Sequence, residues 1–133
     1  MPFQWSEELA TGVSWIDAQH QCLFDMLNEL EGQLERNEPA EKMTGILDGL
    51  AVYAREHFDL EEGCMLLCEC PAATQNKVAH LAFVRMLGAK MKELRSGPPS
   101  RELFVSLRQE IENWLRSHIC HIDKALAKSM GKS

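Results

Sequence analysis

Two pairs of metal-binding side chains stand at spacings that would bring them together in a helical protein. His57 and Glu61 lie four residues apart in HFDLE, so an α-helix would place both side chains on one face. His118 and Asp123 lie five residues apart in HICHID, about 140° around a helix, from which both side chains can reach a common axis. The spacing therefore predicts that two different helices each contribute a histidine and a carboxylate to one site.

His20 and His80 add one imidazole each from two further segments, a turn before apolar residues expected to face the core. A single helical histidine is more often a surface or hydrogen-bonded core residue, and a His/Glu pair is often an ion pair on a solvated face. Four histidines from four segments, two of them with a carboxylate, fit this explanation poorly, because burying so many polar groups is costly unless a metal compensates. Imidazoles with two carboxylates suit iron, manganese or zinc, and carboxylates able to bridge indicate two ions.

Four helices are the elements that must position these groups. Apolar residues recur three and four apart through most of the chain, and almost no segment alternates with period 2. The predicted helices span about 16–36, 39–68, 72–94 and 101–130 and are separated by NEP, CP and SGPPS. An N-terminal arm, residues 1–15, carries Trp5 and Trp15 and is expected to pack across the bundle. The short connections predict an all-α, antiparallel up-down-up-down four-helix bundle, forming a single domain over residues 1–133.

Length and charge limit the partners of this chain. A chain of 133 residues with 45% apolar residues has the size of one domain with one core. Its net charge of −6, without a cluster of cations, argues against nucleic acid and anionic lipid as partners. We find no basic and apolar leader and no stretch near 18 uncharged apolar residues, so we expect a cytoplasmic protein with no membrane span.

The five cysteines form an odd number in a chain without an export signal, and we expect reduced thiols. Three of them, Cys64, Cys68 and Cys70, lie in GCMLLCECP. A zinc or iron–sulfur site is one interpretation of this segment, but no second cysteine pair follows at a matching spacing. Small buried hydrophobic residues or incidental thiols are the favoured interpretation.

Three stretches of the chain resemble the motifs of bacterial hemerythrins. WIDAQHQCLF at 15–24 is similar to the family motif I-D-x-Q-H-x-x-L-F with its preceding Trp, and HFDLEEGCM at 57–65 is similar to H-F-x-x-E-E-x-x-M. WLRSHICHID at 114–123 is similar to W-x-x-x-H-I-x-x-x-D. The resemblance covers nearly the whole chain and implies a non-heme di-iron centre that binds O2.

The resemblance also implies a role for each matching residue. His20 and His57 would hold one iron, and His80 and His118 the other. Glu61, Asp123 and a solvent-derived oxo or hydroxo group would bridge the two. Oxygen would bind at the open position of the first iron, below an apolar pocket formed by Phe58, Trp114, Leu115 and Ile119.

Asn76 departs from the family pattern. The third motif, Y-P-x-x-x-x-H-x-x-x-H-x-x-F, appears here as CPAATQNKVAHLAF, with Asn76 at the first histidine position and His80 at the second. We expect this ligand position to be vacant or filled by water or a small anion. The alternatives are coordination by the Asn76 amide oxygen and replacement by another residue, for which His121 is the obvious candidate. We expect that His121 is not a ligand and that Glu62 is a surface group or a neighbour of the ligands.

Three functions remain open. The preferred one is an oxygen- or redox-sensing domain, because loss of an imidazole exposes the second iron and favours a short-lived oxygenated form. A fourth helix that runs to the end without a capping signal agrees with a C-terminal output domain, as in a diguanylate cyclase or chemoreceptor. The alternative is a free-standing oxygen carrier or store. A di-iron enzyme acting on peroxide, NO or ferrous iron ranks last, because we identify no dedicated proton-transfer residue and hence no catalytic residue.

Overall fold

The computed structural model of this protein describes residues 3–98 and 100–129. The chain forms an all-α four-helix bundle, which confirms the predicted fold class. A 3₁₀ turn, Glu7–Leu9, is followed by α1 (Ser14–Glu35), α2 (Ala40–Leu67), α3 (Ala73–Arg95), α4 (Arg101–His118), a π-helical turn (Ile119–Asp123) and α5 (Lys124–Ser129). Each long helix packs against the next, and α4 packs against α1, so the bundle closes around one axis.

The first three long helices begin and end within two residues of the ranges predicted from the sequence. Proline explains the boundaries around α2. This helix begins directly after Pro39, and beyond its end Glu69 has a φ of 53° while Cys70 precedes Pro71, which keeps it out of the α region. Among the described residues, no helix is long and apolar enough to cross a membrane.

The predicted fourth helix is not a single regular α-helix. Here α4 ends at His118, the next five residues form the π-helical turn, and α5 continues to Ser129, while the predicted end at Met130 lies outside the described residues. A π turn closes i→i+5 hydrogen bonds and so accommodates one extra residue. Residues five apart, such as His118 and Asp123, are thereby brought towards one face instead of standing about 140° apart.

The N-terminal arm lies along α1. The ring of Phe3 is stacked on that of Phe24 with centroids 3.6 Å apart. The Asn28 side chain accepts a hydrogen bond from the Phe3 backbone N at 2.7 Å and donates one to the Phe3 carbonyl at 2.8 Å. Apolar stacking and a paired backbone together fix the arm to the bundle.

The Asp17 carboxylate in the first turn of α1 holds the chain segment that precedes the helix. Asp17 accepts hydrogen bonds from the backbone N atoms of Thr11 and Gly12, and Gly12 has a φ of 87°, a conformation that glycine adopts readily. The helix begins at Ser14, so Trp15 belongs to α1, whereas the sequence predicted that it lies in the arm.

Two apolar clusters fill the bundle, and the polar donors lie between them. Along α1, Ile16 belongs to the smaller cluster and Leu23 to the larger, with His20 between the two in sequence. Along α2, Phe58 belongs to the larger cluster and Met65 to the smaller, with Glu61 between. The donor layer is therefore enclosed by apolar side chains on both sides along the bundle axis.

Candidate metal centre

Four buried imidazoles form two pairs inside the bundle. The first pair, His20 of α1 and His57 of α2, has its Nε2 atoms 3.1 Å apart. The second pair, His80 of α3 and His118 of α4, has its Nε2 atoms 2.9 Å apart. Each pair thus joins two helices, and each long helix supplies one imidazole.

Glu61 and Asp123 lie between the two pairs, and both are fully buried. The closest nitrogen–oxygen distances are 3.0 Å from Asp123 Oδ2 to His20, 3.3 Å from Asp123 Oδ1 to His118, 3.3 Å from Glu61 Oε2 to His57 and 3.1 Å from Glu61 Oε1 to His80. Each carboxylate therefore turns one oxygen to the first pair and the other to the second pair. This is the arrangement of two carboxylates that bridge two ions.

The π-helical turn explains how Asp123 reaches this position. Residue 118 ends α4 and residue 123 ends the π turn, so their side chains meet with Nε2 and Oδ1 3.3 Å apart. π turns inside α-helices occur frequently at functional sites. The expected separation of about 140° holds for a regular α-helix and is wrong for these two residues, because a π-helical turn lies between them.

The donor set fits two cations. All four oxygens of Glu61 and Asp123 lack a well-aligned hydrogen-bond donor, an arrangement that is costly for a buried carboxylate. Metal–ligand distances of about 2.0–2.2 Å place neighbouring donors on one ion about 3 Å apart, which is the spacing found here. The two sets of donors are His20, His57, Glu61 and Asp123, and Glu61, His80, His118 and Asp123.

Two side chains outside the donor sets hold the imidazoles in place. His57 Nδ1 is 2.5 Å from Gln19 Oε1, and His80 Nδ1 is 2.9 Å from Glu62 Oε2. An acceptor at Nδ1 fixes the proton there and leaves Nε2 free to bind a metal. Glu62 thus contacts a candidate ligand, His80. The sequence did not single out Gln19, although its position directly before His20 in WIDAQH was a usable signal.

Aromatic rings pack against the second pair. Phe58 stacks on His80 with centroids 3.9 Å apart, and Trp114 stacks on His118 with centroids 4.5 Å apart. Phe58 also meets His57 in a tilted contact at 5.9 Å. Two of the four predicted pocket residues therefore lie closest to the second pair, not over the first. The other two, Leu115 and Ile119, are buried in the larger apolar cluster.

Asn76 is fully buried on α3, one turn before His80 on the same face. Neither its Oδ1 nor its Nδ2 has a hydrogen-bond partner. His121, by contrast, is exposed, and its Nδ1 donates to the Ser117 carbonyl at 2.7 Å. His121 belongs to neither of the two donor sets found among the described residues.

Glu61 and His118 have shifted pKa values in this cluster. Burial acts to raise the pKa of Glu61, but the imidazoles of His118, His57 and His80 outweigh it and hold this pKa well below its ordinary range. Burial acts to lower the pKa of His118, but Asp123 and Glu61 outweigh it and raise this pKa to about 9. The cluster thus favours positive charge next to its carboxylates, as a cation site should.

The cysteines do not form a comparable site. No disulfide joins the five, all of which lie in the described residues. The three cysteines near the end of α2 do not appear in any group of metal-binding side chains found in the described ranges. Burial and the neighbouring thiols raise the pKa of Cys64, which disfavours the thiolate that a metal would bind.

Fold and site together define a helical-bundle protein whose core is built to hold two carboxylate-bridged metal ions. The family model of the hemerythrin HHE cation binding domain matches residues 11–128, and the chain belongs to the hemerythrin family. Members of this family bind a non-heme di-iron centre and, in general, O2 without catalysing a reaction.

Curated relatives agree with this family. The chain is 27% identical over 126 residues to a bacteriohemerythrin of Stenotrophomonas maltophilia, covering 92% of this chain and 78% of the relative. It is 28% identical over 117 residues to that of Methylococcus capsulatus, covering 88% and 87%. It is 26% identical over 120 residues to that of Aquifex aeolicus, covering 90% and 91%. The similarity thus extends over most of both chains.

Proposed function

We propose that the two donor sets hold the two irons and that the domain senses oxygen or redox state. His20 and His57 bind the first iron, His80 and His118 bind the second, and Glu61 and Asp123 bridge them. When bound, the di-iron centre supplies the electrons that O2 takes up. The surrounding side chains orient the ligands and exclude water, which the burial of Phe58 and Leu115 supports.

The observation that carries the sensing proposal is the position of Asp123. This bridging carboxylate ends the π-helical turn, and α5 begins at the next residue. Ile122 and Leu126, on either side of this junction, pack in the smaller apolar cluster with Val13 and Ile16. Asp123, as a ligand of both irons, would shift when their charge changes, and the π turn would transmit that shift to α5.

The first experiment separates a sensor from an oxygen carrier. Protein loaded with two ferrous ions under anaerobic conditions is mixed rapidly with O2 and followed by absorption. We expect rapid conversion to the diferric form, because Asn76 leaves the second iron without a third imidazole. An oxygenated form that lasts for hours and releases O2 when the pressure falls would establish the carrier instead.

The second experiment tests the path through the π turn. Hydrogen exchange is compared between the diferrous and diferric proteins, with both iron contents verified. We expect the largest difference in residues 119–129 and little change at the distant end of α3, residues 87–95. Equal exchange of residues 119–129 in the two states would contradict signalling through this element.

The proposal includes a single domain and a cytoplasmic location. The match of the family model to residues 11–128 supports the first. The second rests on the expectation that the five cysteines, an odd number, are reduced thiols. Fractionation of cells that express the protein tests the location.

A further inference from the structure

Asn76 is a polar group that the protein itself leaves unsatisfied. Its side chain is 0% exposed, and both its amide oxygen and its amide nitrogen lack a hydrogen-bond partner. A native structure rarely buries an amide in this way, because the lost hydrogen bonds to water are not replaced. Asn76 lies one turn before His80 on the buried face of α3, and His80 belongs to the second donor set.

The second donor set leaves room for a further ligand. Two imidazoles and two carboxylate oxygens supply four donors, fewer than the six of an octahedral ion. An iron in this set therefore has positions for ligands that the protein does not provide. The amide Nδ2 carries two hydrogens, which suits a ligand with lone pairs and negative charge.

A groove on the outside of the bundle reaches this set from the α3 and α4 side. It has a volume of about 420 Å³, and its lining includes Gln75, Ala79, Ser117 and His118. None of its lining residues is a carboxylate. The groove on the other side of His80 carries Asp59 and Glu62 as well as two cations. An anion thus meets less repulsion along the α3 and α4 side.

We propose that a small anion binds to the second iron beside Asn76, with the Asn76 amide nitrogen donating a hydrogen bond to it. The ligand class is a compact monovalent anion such as azide, nitrite or formate. This site deepens the proposed function, on which it rests for the presence of two irons. It makes the second iron, and not only the first, responsive to exogenous ligands.

Azide is the probe that tests this site. The diferric protein, with two irons per chain verified by metal analysis, is titrated by equilibrium dialysis and absorption. We expect two azides per centre in the wild type and one in Asn76→His, in which an imidazole takes the position. The matched control Asn113→His, an exposed change on α4, should still bind two.

A second variant tests the hydrogen bond. Asn76→Leu removes the amide without supplying an imidazole, so it should still bind two azides, with the dissociation constant of the azide at the second iron raised about tenfold. This variant also protects the test against failure of Asn76→His to fold. An unchanged dissociation constant would show that the amide does not contact the anion.

A charge change at Gln75 tests whether the anion enters through the groove on the α3 and α4 side. Gln75 is exposed in the lining, so Gln75→Glu should slow azide binding several-fold at low salt and Gln75→Lys should accelerate it. Equal rates in both variants would overturn the route.

Three outcomes overturn the site itself: one azide in the wild type, two azides in Asn76→His, or a single iron in the wild type. The oxygen kinetics are a separate measurement. A long-lived oxygenated form, together with two azides in the wild type and one in Asn76→His, would reject the sensor proposal and support the anion site.

Discussion

The two halves of the donor cluster have equal numbers of imidazoles but different surroundings. The first pair lies between α1 and α2, where the outer nitrogen of His57 meets a neutral amide, Gln19. The second pair lies between α3 and α4, where His80 meets the carboxylate of Glu62 and Asn76 stands a turn away without a partner. In the first half the Nδ1 atom of His20 also lacks a hydrogen-bond partner, so the halves differ in the charge of the acceptor beside one imidazole and in the additional buried amide of the second half. The departure of this chain from the family motif, Asn76, thus lies on the side of the second pair.

Removal of the shared carboxylate should abolish both halves together. Glu61→Ala takes one oxygen from each donor set, and we expect iron content to fall from two per chain towards zero. The control Glu110→Ala removes an exposed carboxylate of α4 and should keep both irons. Metal analysis after reconstitution measures the effect, with helix content from circular dichroism to verify folding. Retention of both irons in Glu61→Ala would refute the bridging assignment.

Removal of the side chains that contact the Nδ1 atoms of His57 and His80 should affect the two halves unequally. Glu62→Leu and Gln19→Leu each leave an imidazole without its acceptor, and such changes typically weaken metal affinity about 10- to 100-fold. We expect the larger loss for Glu62→Leu, because a carboxylate raises imidazole basicity more than an amide does. Competition with a chelator measures both affinities. Glu56→Leu, an exposed change on α2, is the control, and equal losses in the two test variants would remove this contrast between the halves.

Replacement of the unpartnered amide should stabilise the metal-free protein. Asn76→Leu removes a buried group that has lost its hydrogen bonds to water, which typically costs about 1–3 kcal/mol. We expect the free energy of unfolding of the metal-free variant to rise by about 1 kcal/mol, as measured in urea. A decrease of similar size would mean that the amide has a partner in solution.

The pH dependence of the metal-free protein should reflect His118. Its pKa is raised from 6.5 to about 9, so the stability it contributes is complete below pH 6.5 and is lost as pH rises through about 9. The lowered pKa of Glu61 acts in the other direction, since its contribution is present above pH 4.5 and is lost as pH falls towards that lowered pKa. Urea unfolding at pH 6 and pH 9.5 should show lower stability at the higher pH. The His118→Gln variant should lose most of this difference, and a fully retained difference would assign it to another group.

The sequence by itself determined the helices and the types of donor. Apolar periodicity and proline set the bounds of α1, α2 and α3 because these signals act within a few residues of the boundary. Histidines with nearby carboxylates indicated a site for two ions because few other partners compensate buried charge of this kind. The unusual asparagine was also visible as a departure from a motif.

Only the tertiary structure decided how the donors meet. The π turn that brings Asp123 to His118 depends on how α4 and α5 pack, and no local pattern in HICHID distinguishes it from a regular α-helix. The contacts of Gln19 with His57 and of Glu62 with His80 join different helices, so the rotation of one helix against another sets them. The same holds for the stacking of Phe58 on His80, because these rings belong to α2 and α3 and meet only when the bundle closes. The sequence thus specifies which donor side chains are present, and the packing of the helices decides which donor atoms lie close together.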